Sequence, residues 1–114
     1  MSAVPRSQRP ELPAIDGDRI VQLAEVFRLM GDGNRLRIVL ACLDAPTPVG
    51  AIASSLELSP SLVSHHLRLL RAVRVLRARR QGKQVYYSVA DDHIRCVIAD
   101  MLEHLAEPHG QEDG

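Results

Sequence analysis

Ser59-Pro60-Ser61-Leu62-Val63-Ser64-His65-His66-Leu67-Arg68-Leu69-Leu70-Arg71-Ala72 is the stretch whose reading decides the fold. Ser59 before Pro60 is a helix start. The hydroxyl can accept from a free amide of the first turn, and proline suits the first helical position. The helix is expected to run from Pro60 to about Ala72, with Val63, Leu67 and Leu70 on its inner face. Ser61, Ser64, His65 and Arg68 recur at i, i+3, i+4 and i+7 on the opposite face. His66 lies toward the buried side. Thr47-Pro48 gives the same start signal upstream, with Thr as N-cap and Pro in the first turn of a helix through Val49, Ile52 and Ala53 to about Leu56. Two short helices joined by Glu57-Leu58-Ser59 form a helix-turn-helix pattern.

Outward from that core, the period changes to two after Arg74. Val75 to Arg80 and Gln84 to Val89 read as strands around Gln81-Gly82-Lys83, a hairpin with a basic tip. Upstream, residues 16–31 place Ile20, Leu23, Ala24, Phe27 and Met30 on one helical face, and Gly31-Asp32-Gly33 ends that helix. Asn34 can cap the next, which runs to about Leu43. Residues 1–14, with Pro5, Pro10 and Pro13, read as a flexible arm, and residues 109–114 as a frayed tail. One domain is expected over 15–108, in the order ααααββα: mainly helical with a β-hairpin wing, a winged helix-turn-helix.

The whole chain is neutral, with 14 Lys and Arg against 14 Asp and Glu, which by itself argues against a nucleic-acid binder. The distribution reverses that. Residues 58–90 hold Arg68, Arg71, Arg74, Arg77, Arg79, Arg80 and Lys83 and no acid, while 91–114 are acidic. A recognition helix presents its N-terminal side chains to base edges, so Ser61, Ser64 and His65 are candidates there. Arg68 would reach phosphate or guanine. Arg79, Arg80, Lys83 and Gln84 on the wing would meet the DNA backbone or the minor groove. Arg71, Arg74 and Arg77 also fit a plainer role, covering apolar surface with their stems. No run is long and apolar enough for a membrane span, nothing resembles a signal peptide, and the two cysteines make no disulfide framework, so a cytoplasmic location is expected.

The last helix, about residues 91–107, carries Asp91, His93, His104 and Glu107 beside an apolar stripe of Ile94, Val97, Ile98, Met101, Leu102 and Leu105. His93, His104 and Glu107 fall in a row along one edge of the stripe. The two histidines are nevertheless roughly 16 Å apart along the axis, whereas a zinc–nitrogen bond is about 2 Å. One helix cannot wrap both around one ion. Two antiparallel copies can, because pairing His93 with a partner's His104 also pairs Asp91 with a partner's Glu107, in one register centred near Ile98 and Ala99. The spacing predicts a two-fold symmetric homodimer with two equivalent inter-subunit sites. Asp100 also faces the ligand row, either supporting the ligands or simply solvated.

The chain resembles the ArsR/SmtB family of metalloregulatory repressors. The resemblance rests on Gly33-Asn34-Arg35-Leu36-Arg37-Ile38, Ser64-His65-His66-Leu67-Arg68, the wing Arg80 to Ser88, and the ligand spacing Asp91, His93, His104, Glu107. It covers about residues 19–108, and the ligand motif is similar to the zinc-sensor signature of the SmtB-like branch. The resemblance implies an elongated dimer built on the first and last helices, operator binding without metal, and release on zinc loading that derepresses efflux or sequestration genes. It also implies that His104 donates to the backbone carbonyl near Arg74. Residues 47–58 contain no cysteine, so the site used by arsenic and cadmium sensors of the family is absent. Nickel, cobalt or cadmium remain open as the metal, with His109 as an extra ligand.

Three other readings stand beside this one. A winged-helix module could use zinc purely as a staple. A thiol or persulfide sensor could use Cys42 and Cys96, although both read as buried structural thiols. An enzyme finds no support, because two histidines and two carboxylates saturate tetrahedral zinc and no nucleophile–base set can be placed. No small-molecule substrate is expected.

Overall fold

The computed structural model describes residues 12–108. Residues 1–11 and 109–114, including most of the expected arm, the tail and His109, lie outside the described residues. Five helices and three strands follow in the order α1 (Gly17–Met30), α2 (Gly33–Ala41), β1 (Thr47–Pro48), α3 (Val49–Leu56), α4 (Pro60–Ala72), β2 (Leu76–Gln81), β3 (Gln84–Val89) and α5 (Asp92–Ala106). This is the winged helix-turn-helix expected from the pattern, with α3 and α4 as its helical pair and β2–β3 as the wing.

The core is aliphatic and built across the chain. Ile38, Val39 and Cys42 of α2 and its end meet Ile52 and Ala53 of α3 and Val63, Leu67 and Leu70 of α4. Val75, Leu76 and Val89 close it from the wing's base, and Ile98 is the one buried residue of α5. Burial of this kind contributes about 1.5–3 kcal/mol per large aliphatic side chain, which is why α4 is held rigidly despite its polar outer face.

Local chemistry sets the element ends. Ser59 Oγ accepts from the Leu62 amide at 3.1 Å, as its position before Pro60 predicts. Asp32, rather than Asn34, caps α2: its carboxylate accepts from the Arg35 amide at 3.0 Å. Both residues offer a capping oxygen, and Gly33 continues the helix toward its N-terminus, so the cap moves two places upstream. Thr47 is likewise not the cap of α3. Pro48 holds that position without a side-chain bond, and Thr47 Oγ1 donates to the carbonyls of Ala45 and Ala41. Thr47 and Pro48 instead form β1, pairing antiparallel with Tyr87 and Tyr86 to give a three-stranded sheet in the order β1-β3-β2.

Helices α3 and α4 end alike. The Leu58 amide returns to Ala53 O and the Val75 amide to Leu70 O, each at 3.0 Å. Both ends require a left-handed residue, which is usually glycine. Here Glu57 (φ 58°) and Arg74 (φ 62°) occupy those positions. The wing turns at Gly82 (φ 63°), where a left-handed conformation costs glycine nothing. At the other end of the wing, α5 is tied down by its first half: Ile94 packs on the core, and Arg95 Nη1 donates to the Leu43 carbonyl at the end of α2.

Candidate metal centre and nucleic-acid interface

Asp91 caps α5, with Oδ1 accepting from the Ile94 amide at 3.1 Å. That amide, more than the neighbouring His93, holds the Asp91 carboxyl below the usual carboxylate range. His93 Nδ1 stands 3.7 Å from the same Oδ1, and its side chain is 95% exposed. Asp91 and His93 therefore make an open pair of oxygen and nitrogen donors at the start of α5. His104 sits in the last turn, and Glu107 is the C-cap residue, its amide bonded to the His104 carbonyl at 3.3 Å. This second pair is separated from the first by the length of a 15-residue helix. Among the described residues, no three His, Cys, Asp or Glu side chains converge on one point within the chain. The donor types suit zinc, and each pair stands exposed at its own end of the helix.

The helix between the pairs is mostly uncovered. Val97, Met101, Leu102 and Leu105 of α5 are exposed, as are Ile20, Val21, Leu23 and Phe27 of α1. Apolar stripes of this extent on two helices are unusual for a surface in water. Asp100 is exposed on the same helix. At the start of α5, Asp91 shares a cleft of about 550 Å³ with Val73, Arg74, Leu76 and Arg77. Arg74, at the end of α4, therefore lies within one chain beside the Asp91 end of α5. His104 belongs to the opposite end.

Ser61, Ser64, His65 and Arg68 of α4 are all exposed. The wing residues Arg79, Arg80, Lys83 and Gln84 are exposed as well. Strand pairing divides them. Arg79 pairs with Tyr86 and Arg77 with Ser88, and Arg77 Nε donates to Ser88 Oγ at 3.3 Å. Arg80 pairs with Val85 and so points to the opposite face of the wing. Adjacent arginines in the sequence thus serve two different surfaces.

The cysteines separate too. Cys42 is fully buried at the end of α2, and desolvation pushes its thiol up to about 11. Cys96 is exposed, contrary to the expectation of a buried thiol. The reason is angular: it lies two residues from Ile98, about 200° around the helix from the one buried position. Sequence reasoning also gives no role to Arg35. Its Nε donates to Nδ1 of buried His66 at 3.2 Å, across 31 positions, with no local spacing signal to reveal the pair.

The family model for bacterial regulatory proteins of the arsR family matches residues 32–78, from the cap of α2 into β2. A transcriptional repressor SmtB homolog of Synechocystis sp. is 37% identical over 102 residues, covering 90% of this chain and 76% of that protein. The chain belongs to the ArsR family. A cadmium resistance transcriptional regulatory protein, a CadC homolog of Staphylococcus aureus, is 33% identical over 88 residues, covering 76% of this chain and 73% of the relative. Among solved structures, a homodimeric winged helix-turn-helix DNA-binding domain from Mycobacterium bovis matches with a TM-score of 0.65 at 29% identity, over 79% of this chain and 90% of that one. These ArsR-family relatives are transcriptional regulators, not enzymes. No helix among the described residues is long and apolar enough to cross a membrane.

Proposed function

We propose that this ArsR-family chain is a metal-responsive repressor whose homodimer binds operator DNA without metal and releases it when zinc loads at two inter-subunit sites. The observation that carries this reading is the division of ligands on α5. Asp91–His93 and His104–Glu107 stand at opposite ends of a helix whose apolar face is uncovered. An antiparallel partner helix would cover that face and complete both sites with the same register. The names of the relatives agree: one is a repressor of the SmtB kind, one belongs to cadmium resistance, and one solved domain is homodimeric.

In this reading Asp91, His93, His104 and Glu107 hold the metal, which supplies when bound a cross-link between the two last helices, stronger in one subunit arrangement than in the other. A ligand shifts an equilibrium only by such a difference in affinity. The chain's own residues carry the consequence outward. In the antiparallel register, His104 of the partner subunit arrives at the Asp91 end of α5, which is where Arg74 and the end of α4 lie. A histidine ring held by one nitrogen is fixed in tautomer and orientation, so its other N–H can donate to a backbone acceptor at that end. Ser61, Ser64 and His65 would read base edges, with Arg68 on phosphate or guanine. Arg79, Arg80, Lys83 and Gln84 would hold the backbone or minor groove. Genes for metal efflux or sequestration are the expected targets.

The test is a fluorescence anisotropy titration on a short duplex that the protein selects from a random pool, run without metal and with zinc, cobalt, nickel or cadmium. Zinc is expected to weaken binding at least about tenfold, within the usual range of coupling free energies. Equal affinity with and without every metal would reduce the metal to a staple and overturn the repressor switch.

A further inference from the structure

One side chain joins three helices in this molecule. Arg35 of α2 donates from Nε to His66 Nδ1 at 3.2 Å and from Nη1 to the Leu29 carbonyl at 3.3 Å. Its own amide donates to the Asp32 carboxylate that caps α2, at 3.0 Å. Leu29 belongs to the last turn of α1, and His66 to the buried face of α4. The guanidinium therefore links a helix with an uncovered apolar face to the helix whose outer face carries Ser61, Ser64, His65 and Arg68. His66 is the one buried polar or charged side chain among the described residues, 7% exposed, and its hydrogen bond to the half-buried Arg35 is partly shielded from water. A buried polar group that loses its partner costs more than the bond contributed.

The bond dictates the protonation state of His66. Nδ1 can accept only when it carries no proton, so the ring is neutral with its hydrogen on Nε2. The charged and titratable groups facing it are Arg35 and Asp32 of α2 and the neighbouring His65 of α4, whose ring centroid lies 5.8 Å away. Burial, then the Arg35 cation, push the His66 pKa below the ordinary histidine value, with Asp32 opposing. A group held neutral in this way stabilises the fold fully above the ordinary histidine range. That contribution is lost as pH falls through it, because the unfolded chain takes the proton first.

We propose that Arg35 and His66 are positioning residues that fix the recognition helix α4 against the end of α1, and that a proton on His66 Nδ1 releases α4 and weakens DNA binding in acid. This rests on the reading that α4 contacts DNA. It adds a second input to the reading head, on α2 and α4 rather than on the helix of the residues assigned to metal.

The experiment compares the wild-type protein with His66→Asn, whose amide oxygen replaces the Nδ1 acceptor but cannot take a proton in this range. Metal is removed with chelator, and affinity for the selected duplex is measured by anisotropy between about pH 7.5 and about pH 5.5, the range in which histidine titrates. His65 and the other histidines are common to both proteins, so the two profiles differ through the change at position 66. The wild type is expected to lose about tenfold more affinity across that range than His66→Asn, the effect of one buried hydrogen bond. Coincident profiles would overturn the proposal. A second measurement needs neither variant nor DNA: the Arg35 Nε–H resonance of the wild-type protein should move with the titration of the His66 ring. An Arg35 resonance indifferent to that titration would equally overturn it. If no duplex is selected at any pH, the DNA reading fails, and the resonance measurement still decides whether the junction exists.

Discussion

Helices α4 and α5 have the same design in sequence and opposite fates in the structure. Each is amphipathic, each starts on a side-chain cap, and each carries histidines beside an apolar stripe. Helix α4 buries Val63, His66, Leu67 and Leu70, whereas α5 buries Ile98 and leaves Val97, Met101, Leu102 and Leu105 exposed. The buried stripe is satisfied by this chain's own core. The exposed one has the same chemistry and no partner among the described residues. An apolar pattern alone therefore does not say what a helix packs against; the distinction comes from which other elements the chain brings to it.

The contrast can be broken most severely at the core. Leu67→Ala should cost about 2–5 kcal/mol in urea denaturation, as a large-to-small change at a site 1% exposed. Leu105→Ala removes the same atoms from a side chain 73% exposed. It should leave the folding of a single chain nearly unchanged and instead raise the dimer dissociation constant about tenfold by sedimentation equilibrium, the loss of one buried leucine at an interface. If both substitutions cost the same and neither touched association, the two stripes would not differ in kind.

The caps offer a comparison of intermediate size. Ser59→Ala should lower stability by about 1 kcal/mol, because the Ser59 hydroxyl holds the Leu62 amide and the substitution leaves the backbone bond from Val63 in place. Asp91→Asn keeps a good capping oxygen for Ile94 but removes the charge, so the thermal midpoint should hold while zinc affinity, read by calorimetry, drops at least about tenfold. Equal zinc affinity in Asp91→Asn would make Asp91 a cap and nothing more. The smallest expected effect is at the turn between α3 and α4. Glu57→Gly relieves a left-handed backbone at φ 58°, and should raise stability by less than about 1 kcal/mol once the greater freedom of the unfolded glycine is set against it.

The reading head was legible where local chemistry decides structure. Ser59-Pro60, the period of Val63, Leu67 and Leu70, and the switch to alternation after Arg74 each act over a few residues, and α4 and the wing follow them. What escaped depends on contacts across the chain. β1 has two residues, too few to show a period, and exists because Tyr86 and Tyr87 offer it a ladder. The cap of α2 falls on Asp32 rather than Asn34, a choice between two competent side chains that only the path of the chain settles. The Arg35–His66 bond spans 31 positions. For the residues proposed to hold metal the order is reversed: their spacing already forbids a single-chain site, and the structure places them at the two ends of α5 without bringing the pairs together. Cys96 stands exposed because α5 lies against the core along one narrow line through Ile94 and Ile98.

The central claim is that α5 makes its metal sites between two chains, and it is tested most directly by mixing two crippled proteins. His93→Asn and His104→Asn should each lose tight zinc binding as homodimers, since each variant damages both of its sites. In a mixed dimer the two substitutions fall in one site, and the other regains Asp91, His93, His104 and Glu107 intact. Zinc titration after subunit exchange should therefore recover one tight site per mixed dimer. Recovery of none, with exchange verified by mass, would contradict an inter-subunit centre and the account built on it.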